Sequence, residues 1–424
     1  MGPPGTCRVA SDGNQACAGL IYGNPERREG SRVSAAAARL GATDEDFARL
    51  GIERATVRPW EDGARTDGSP GTYEWWYFDA HLDDGAKLVV VFLTKEFTDI
   101  TQPLTPMIRL ELELPDGTAH NKIATFPAGD FTASSEGCDV RIGDHSFSGD
   151  LHTYRIAAEL DGVSVEVTLT GEVPPWRPGT GHWWFGPGTG KVFAWLPSVP
   201  QGAVRATYRV GDAGPVTTGG TGYHDHNWGD APVNELINHW YWARGAAGPY
   251  TVIASHITAE RRYGDTALPV FLLAKDGQVL ADDDSRVTFE ALGAYRDGTT
   301  GKPVAGVTRY HYRDGADTYS VTFVRERDLA AAKLIDNLTG PKKLAARLAR
   351  FDGAYLRFTG ELRVEYRTGS TLVDTHAAPA IWELMYPGPT HEDPSRADGR
   401  CPPTRTAERD QRCHARTSTS PSPT

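Results

Sequence analysis

Residues 219 to 230 hold the densest group of side chains capable of chemistry, in the order Gly-Gly-Thr-Gly-Tyr-His-Asp-His-Asn-Trp-Gly-Asp. Because side chains alternate across a β-strand, His224 and His226 are expected on one face and Asp225 on the other. Hydrogen-bonding and stacking groups flank them, namely Tyr223, Asn227 and Trp228. Buried polar groups are costly unless they are paired, so the segment predicts either a functional site or a tightly hydrogen-bonded network.

Three roles are open for this segment. The His-x-His spacing is a common strand-borne metal-ligand pair, but a third ligand is missing, since Glu235 lies too far along and His239 falls in the next aromatic strand. A hydrogen-bonded hinge between domains is favoured over a metal site. General acid or base chemistry by His224, His226 or Asp225 also ranks above a metal, because imidazole titrates near neutrality and a carboxylate tunes it.

Sequence signatures of cofactors and of common nucleophiles are missing. The chain has no Gly-x-Ser-x-Gly elbow and no phosphate-binding glycine loop, and Gly186-Pro-Gly-Thr-Gly-Lys lacks the required spacing. The sequence therefore predicts no metal and no cofactor, and either a cofactor-free site or a binding cavity.

Tryptophan is the other distinctive feature, with 11 residues, several of them in pairs such as Trp75-Trp76, Trp183-Trp184 and Trp240 with Trp242. On a strand, one member of an adjacent pair faces a core or cavity and the other faces a neighbouring domain or solvent. Plain core packing accounts for most of them. A subset that lines a pocket would suit a large apolar or polyene ligand.

The elements that must position these residues are mainly strands. Between Tyr73 and Tyr386 the chain alternates short Val-, Thr- and aromatic-rich runs with Asp-Gly pairs such as Asp84-Gly85 and Asp314-Gly315, which favour tight hairpins. Helical periodicity is confined to Asp328 to Phe351, which predicts an inserted helix pair, and to short turns within Ser34 to Leu50 that begin near Thr43. An all-β body with a short helical insertion is predicted.

Composition excludes several classes of protein. The 424 residues carry a net charge of −11 and no basic stripe, which argues against nucleic-acid binding and a polybasic membrane anchor. The longest apolar run, Leu88 to Leu93, is too short to span a bilayer, and the first 23 residues lack signal-peptide features. A cytoplasmic protein is expected. The cysteines, five in number and mostly in the polar tails, are assigned no chemistry.

An internal sequence repeat divides the predicted β-body into two parts. Trp75-Trp-Tyr-Phe-Asp-Ala-His, a turn and an apolar strand are matched by His239-Trp-Tyr-Trp-Ala-Arg-Gly, a turn and a second apolar strand. With Trp76 aligned to Trp240, the offset is one all-β domain length. The predicted organisation is a partly disordered extension at 1–65, β-domains at 66–232 and 233–387, and a disordered tail at 388–424.

At these residues the sequence resembles the carotenoid 1,2-hydratase superfamily, which includes the lipocalin-like Diels-Alderases. The similar stretches are Glu74-Trp-Trp-Tyr-Phe-Asp-Ala, Gly222-Tyr-His-Asp-His-Asn-Trp-Gly, Trp240-Tyr-Trp-Ala-Arg and Trp382-Glu-Leu-Met, within about Tyr73 to Tyr386. The resemblance implies two tandem lipocalin-like β-barrel domains. It also implies either hydration of an isoprenoid double bond or cyclisation of a polyene during natural-product biosynthesis.

The resemblance implies functional importance for His226 and Trp228, and the hydratases place an acid on the strand after the Trp-Tyr-Trp segment. Here that strand, Thr251 to Ile257, offers Ser255 and His256 but no carboxylate, which argues against hydration. The predicted catalytic residues are His226, His224, Asp225, His256 and Tyr241. The predicted substrate-binding residues are Trp76, Tyr223, Asn227, Trp228, Trp240, Trp242, Ser255 and Trp382.

A cyclase needs only a shaped pocket and one or two hydrogen-bond donors for a substrate carbonyl. The favoured hypothesis is therefore a cofactor-independent, Diels-Alderase-like cyclase that holds a lipophilic polyene, polyketide or isoprenoid between two barrels. The alternatives are a hydratase of an isoprenoid or carotenoid double bond and a non-catalytic carrier of a lipophilic ligand.

Overall fold

The computed structural model describes residues 20–22, 37–98, 100–337 and 351–388. Within these residues the chain is almost entirely antiparallel strand. The strands are β1 (Leu20–Tyr22), β2 (Ala38–Leu40), β3 (Tyr73–Leu82), β4 (Lys87–Leu93), β5 (Met107–Glu113), β6 (Ala119–Thr125), β7 (Phe131–Ala133), β8 (Asp139–Ile142), β9 (His145–Gly149), β10 (Thr153–Leu160), β11 (Val163–Gly171), β12 (His182–Phe185), β13 (Lys191–Val210), β14 (Val216–Gly229), β15 (Ile237–Ala247), β16 (Tyr250–Ala259), β17 (Ala267–Lys275), β18 (Gln278–Ala281), β19 (Val287–Leu292), β20 (Tyr295–Arg296), β21 (Pro303–Val304), β22 (Val307–Asp314), β23 (Asp317–Lys333), β24 (Ala354–Thr368) and β25 (Thr371–Tyr386).

Helical structure in the described residues is short. The α-helices are α1 (Asp44–Leu50) and α2 (Val233–Leu236), and the 3₁₀ turns are Pro59–Asp62, Ala128–Asp130, Arg261–Tyr263, Asp284–Arg286 and Leu334–Asn337. Helix α1 begins where the sequence predicts, because the Thr43 hydroxyl accepts from the Asp46 amide and the Asp46 carboxylate accepts from the Thr43 amide. The described part of the chain contains no helix that is both long and apolar enough to cross a membrane.

A sheet of 13 strands contains the N-terminal half of the body, in the order β6-β5-β4-β3-β14-β13-β11-β10-β9-β8-β7, with β12 paired to β13 and β2 paired to β12. It curls around one hydrophobic core, since residues from strands far apart in this order, such as Leu110 of β5 and Phe147 of β9, belong to the same buried cluster. Strand β14, which carries the 219–230 segment, lies in the middle of the sheet between β3 and β13.

A second sheet of 10 strands follows the order β1-β19-β22-β23-β24-β25-β15-β16-β17-β18 and curls around its own core. A third buried cluster joins the two sheets, because it contains Tyr223 and Trp195 from the first and Ile253 and Val270 from the second. The prediction of two curled all-β units of the lipocalin type is therefore confirmed.

The Asp-Gly pairs form hairpin turns as predicted. Gly85, Gly117, Gly162, Gly277 and Gly315 all have positive φ, and each lies between two consecutive paired strands. At two of these turns the preceding aspartate also has positive φ, which is typical of the turn that matches the twist of a two-residue hairpin.

The predicted helix pair at Asp328 to Phe351 is wrong over most of its described part. Asp328 to Lys333 continues strand β23, where Lys333 pairs with Ala354 of β24, and only Leu334–Asn337 forms a 3₁₀ turn. Pairing with β24 satisfies the backbone of this Ala-rich segment and overrides its helix propensity. Residues 338–350 lie outside the described residues.

The two sheets separate between Gly229 and Ile237, close to the boundary predicted at 232/233, which itself stays a prediction. Within the predicted N-terminal extension, Leu20–Tyr22 pairs with β19, and 37–65 is ordered against the first sheet. The tail predicted to be disordered, apart from Gly388, and Cys7, Cys17, Cys401 and Cys413 lie outside the described residues. Cys138 is a buried free thiol.

Candidate active site

Strand β14 presents two chemically different faces, as its alternation predicts. His224, His226 and Trp228 point into the first sheet's interior, where Trp76 stacks on the imidazole of His226 at 4.7 Å. Asp225, between the two histidines, points the opposite way and bonds to Trp195. The two faces therefore have to be considered as separate sites.

The inner face is a closed network of two carboxylates and two imidazoles. Asp62 Oδ2 lies 3.3 Å from Nε2 of His224, and Asp62 Oδ1 lies 3.6 Å from Nδ1 of His226. His226 Nε2 lies 2.7 Å from Oε1 of Glu74, and the Tyr154 hydroxyl donates to Asp62. Burial alone would raise the pKa of Asp62, but electrostatic attraction to His224 and His226 and the hydrogen bonds from His224 and Tyr154 outweigh burial and lower it.

This network is sealed and largely paired, although Oδ1 of Asp62 and Nδ1 of His226 have no hydrogen-bond partner among the described residues. His224 and His226 are fully buried, and aromatic rings cover His224, with Tyr154 at 4.4 Å. Among the described residues, Asp62, Cys138 and His224 form one group with ligand atoms within 4.8 Å of one another. Burial raises the pKa of the Cys138 thiol well above its usual value. The geometry favours a structural cluster.

The outer face centres on Asp225. Its Oδ2 accepts from Nε1 of Trp195 at 2.9 Å and from the Tyr223 hydroxyl at 2.8 Å, and its Oδ1 accepts from Nδ2 of Asn227 at 2.6 Å. Burial raises the pKa of Asp225 to about 6, although these donors act in the opposite direction. Asp225 can therefore hold or release a proton close to neutral pH, which is the requirement for a general acid.

The second sheet packs against this face through a buried ion pair. Arg244 of β15 bonds to Asp79 of β3, with Nε 3.2 Å from Oδ2, and the Tyr77 hydroxyl donates to the same oxygen at 3.0 Å. The guanidinium also lies 5.4 Å from the ring of Tyr223, and the indole of Trp242 contacts that ring at 5.5 Å. Burial lowers the pKa of Arg244 to about 10, and the group remains charged.

Glu383 of β25 supplies a second perturbed carboxyl from the opposite sheet. Trp240 Nε1 donates to Glu383 Oε1 at 3.2 Å, and the Tyr355 hydroxyl donates to the same carboxylate. Burial raises the pKa of Glu383, and the charge of Asp225 raises it further, while these donors and Arg357 lower it. Two carboxyls that repel each other across a gap favour the state in which one of them is protonated.

These side chains line what we call the inter-sheet recess. It is defined by Tyr77, Asp79, Asp225, Trp240, Trp242, Arg244, Tyr355, Arg357 and Glu383. Asp79 and Asp225 are buried and the other seven are half-buried, and burial raises the pKa of Tyr77 and Tyr355, so these side chains lie in crowded surroundings. The recess combines aromatic walls, two cations and two carboxyls of raised pKa, so it can bind an apolar molecule and protonate or polarise an oxygen on it.

The predicted site residues fall into three places. Facing the recess or the contact between the sheets are Asp225, Tyr223, Asn227, Trp240, Trp242 and Ser255. Inside the first sheet are His224, His226, Trp228 and Trp76. In the second sheet's core are Tyr241, His256 and Trp382. The shared pocket expected for Tyr223, His226, Trp228, Tyr241 and His256 is therefore not formed, because adjacent strand positions face opposite layers.

Sequence reasoning missed several residues that stand beside the predicted ones. Glu74 and Asp79 lie in the first quoted motif, Arg244 in the third, and Glu383 directly after Trp382. Alternation places Glu74 on the same face as Trp76, and Arg244 on the same face as Trp240 and Trp242, whereas Glu383 lies on the face opposite to Trp382. Asp62 carried no sequence signal, since it lies in a 3₁₀ turn outside every motif.

A model of the Diels-Alderase-like family matches residues 67–330. This match covers more than half of the chain. The chain belongs to the Diels-Alderase-like family. The resemblance stated from the sequence is thus confirmed at the level of the family.

Curated relatives match over a shorter stretch. The quinolone epoxide rearrangement protein asqO of Emericella nidulans is 27% identical over 194 residues, which are 43% of this chain and 53% of that protein. The quinolone epoxide rearrangement protein penF of Penicillium thymicola is 27% identical over 208 residues, 43% of this chain and 54% of that protein. The chain spans about half the length of the curated relatives it matches.

Solved structures share the fold. A crystal structure of CghA with Sch210972 superposes with a TM-score of 0.53 at 16% identity, over 76% of this chain and 89% of that one. The structure of a putative AttH from Nitrosomonas europaea gives 0.52 at 17% identity, over 78% and 97%. At these identities the similarity concerns the fold alone.

Proposed function

We propose that the protein is a cofactor-independent enzyme of natural-product biosynthesis, a cyclase or rearrangement catalyst that acts on a lipophilic intermediate bound in the inter-sheet recess. The observation that carries the proposal is the pair Asp225 and Glu383, two carboxyls of raised pKa contributed by different sheets to one aromatic-walled recess. Membership of the Diels-Alderase-like family supports the reaction class.

The chemical step uses Asp225 as the acid. Protonated Asp225 donates its proton to an epoxide or carbonyl oxygen of the substrate, and an internal nucleophile or diene then closes the new ring. If a C–O bond breaks, its electron pair stays on the protonated oxygen, and the nucleophile's proton returns to the carboxylate. If a diene closes the ring beside a protonated carbonyl, the carbonyl oxygen gives its proton back to the carboxylate. Substrate and product are then isomers. The names of the curated relatives, which describe quinolone epoxide rearrangement, fit this class of substrate.

The acid strength decides between the substrate types. A carboxyl whose pKa is about 6 can assist the opening of a strained epoxide or polarise a carbonyl. Protonation of an unactivated alkene gives a carbocation directly and demands a much stronger acid. Hydration of an isoprenoid double bond is therefore the weaker alternative, as the absence of a carboxylate on strand β16 already indicated.

The walls of the recess determine which molecules fit. Trp240, Trp242 and Tyr77 offer ring faces to a planar or polyene substrate, and Arg357 stands beside the carboxyl pair as a counter-charge. Holding a flexible substrate in a reactive conformation contributes much of the rate enhancement in such reactions. The same walls would serve a carrier, so binding alone does not establish catalysis.

The proposal is tested by product analysis in ¹⁸O-labelled water. Purified protein is incubated with linear polyene tetramates, quinolone epoxides and isoprenoid alkenes, and product masses are compared for wild type, Asp225→Asn and Glu383→Gln. We expect an isomeric product without label from wild type, and a rate at least about 100-fold lower for Asp225→Asn. A gain of one labelled water would establish a hydratase. Saturable binding with no product from any compound would favour a carrier.

A further inference from the structure

A second cavity, of about 220 Å³, lies beside the recess on the first sheet. Its walls come from the end of α1, the 3₁₀ turn Pro59–Asp62, residues 177–182 and strands β13 and β14. None of Arg244, Trp240 and Glu383 lines it. The volume is below the ~300–1,000 Å³ of a typical drug-sized pocket, which limits an occupant to about one ring with a substituent.

The apolar part of the cavity favours a flat ring. Trp60 and Trp228 contribute to its lining, together with the aliphatic residues Ile52 and Leu196. Indole faces and edges pack well against another aromatic ring. An aliphatic chain of the same volume would use these surfaces less well.

The polar part of the cavity is cationic. Nη2 of Arg177 donates hydrogen bonds to the carbonyl oxygens of Glu53 and Thr56. Arg65 donates from Nε to the carbonyl oxygen of Gly63 and from Nη2 to that of Ser135. Over the described part of the chain, the Nη1 group of neither arginine has a hydrogen-bond partner. One carboxylate, Glu61, lies 3.3 Å from Arg177 Nε, so the lining keeps a net positive charge.

Two further groups beside the arginines add hydrogen-bonding capacity. Nδ1 of His182 lies 2.8 Å from the carbonyl oxygen of Thr180, and burial lowers the pKa of His182 to about 4. The imidazole is therefore neutral with its proton on Nδ1, which leaves Nε2 as an acceptor. The buried Thr180 hydroxyl has no hydrogen-bond partner among the described residues.

We propose that this cavity is a binding site for a small planar aromatic monocarboxylate, separate from the substrate bound in the recess. The ring lies among the indoles, the carboxylate meets the unused Nη1 groups of Arg65 and Arg177, and a ring hydroxyl reaches Nε2 of His182. A fork of guanidinium donors matches a planar carboxylate better than any uncharged group does.

Occupancy of the cavity is linked to the recess through one residue. Trp195 is one of the residues that line the cavity, and its indole Nε1 donates to Asp225 on the opposite face of β13. A ligand that moves the backbone of Trp195 weakens one of the donors that hold down the pKa of Asp225, and by linkage the protonation of Asp225 alters ligand affinity equally. This step rests on the proposed function, whereas binding itself does not.

Isothermal titration calorimetry on the full chain tests the site with benzoate and 4-hydroxybenzoate, against uncharged benzamide and cationic benzamidine. We expect benzoate to bind with a Kd of about 1 mM or tighter, 4-hydroxybenzoate to bind more tightly, and both amide and amidine to bind at least about tenfold more weakly. Because the readout needs no turnover, its failure is distinguishable from failure of the proposed function.

Two variants separate binding in this cavity from binding elsewhere. Arg65→Gln removes a half-buried guanidinium, and Leu50→Trp fills the cavity from its half-exposed rim, so each should weaken benzoate binding by about tenfold or more. Leu280→Trp, at an exposed position of β18, is the matched control and should bind like wild type. Circular dichroism checks that each variant is folded. No benzoate binding by folded wild type, equal binding of benzamide, or unchanged binding by both variants would overturn the proposal.

Discussion

Asp62 shows how a single side chain determines the role of its neighbours. Its carboxylate faces His224, His226 and the Tyr154 hydroxyl, with 1% of the residue exposed. A charge so deeply buried is tolerated only because these partners compensate for its lost hydration. The two histidines, predicted from the sequence to be catalytic, therefore make contacts that favour stability, whereas Asp225 faces the second sheet with a pKa near neutrality.

Asp62→Asn should lower the free energy of unfolding by about 3–5 kcal/mol, because it leaves the buried His224 without its carboxylate and removes the charge that faces His226. Urea denaturation followed by tryptophan fluorescence measures the change. Asp67→Asn, at an exposed position in the same segment, is the control and should change stability by less than about 1 kcal/mol. Unchanged stability of Asp62→Asn together with lost turnover would instead place this network in the reaction.

The phase of each strand decides which of two adjacent residues faces the recess. Trp75 and Tyr77 pack in the cluster that joins the sheets, as do Trp240 and Trp242, while Trp76 and Tyr241 face the two separate cores. The repeated segments thus match when Trp75 is aligned with Trp240, one position away from the alignment that the sequence indicated. A slip of one residue exchanges the two faces of a strand.

Alternation, hairpin turns and the all-β class could be predicted from the sequence because they depend on local composition. The face of the strand on which each residue lies could not be predicted. His256, Trp382 and their neighbours Ser255 and Glu383 are each compatible with the second core or with the inter-sheet face until the packing of both sheets is known. The failed helix at Asp328 has the same origin, because pairing with β24 outweighs local propensity.

His256 tests the assignment of strand faces, because its imidazole stacks on Phe289 at 4.1 Å inside the second core. His256→Ala should lower the free energy of unfolding by about 2–4 kcal/mol through a cavity, with kcat/KM within about twofold of wild type. Trp242→Phe, on the recess side, should raise KM and keep most of the packing against Tyr223. Thermal unfolding and steady-state kinetics measure both. A large loss of kcat in a stable His256→Ala protein would contradict this placement.

At the scale of the whole molecule, the recess exists only while the two sheets are packed together. An aromatic and aliphatic cluster joins them, and polar contacts cross the same boundary, including Arg244 with Asp79 and Lys191 with Glu235. The first pair is nearly buried, and the second is exposed. Desolvated pairs couple far more strongly than exposed ones, so Arg244 and Asp79 should fix the distance between Asp225 and Glu383.

A double-mutant cycle on Arg244→Met and Asp79→Asn should show this coupling. Each single variant leaves a partner without its buried counter-charge and should lose about 3–5 kcal/mol of stability, whereas the double variant should lose clearly less than the sum. The exposed pair Lys191 and Glu235 serves as control, with an expected coupling below about 1 kcal/mol. Additive losses for Arg244 and Asp79 would show that they do not hold the sheets together.

The role of Asp225 as proton donor is tested most directly by the pH dependence of kcat, measured with the compound that the product assay identifies. With a pKa of about 6, the acid form dominates below that pH and is lost above it, so kcat should be constant in mildly acidic solution and fall about tenfold per pH unit above neutrality. Asp225→Asn should be at least about 100-fold slower and lack this fall. An Asp225→Asn enzyme that retains the wild-type rate, or the same decline above pH ~6, would contradict the assignment of Asp225 as the acid.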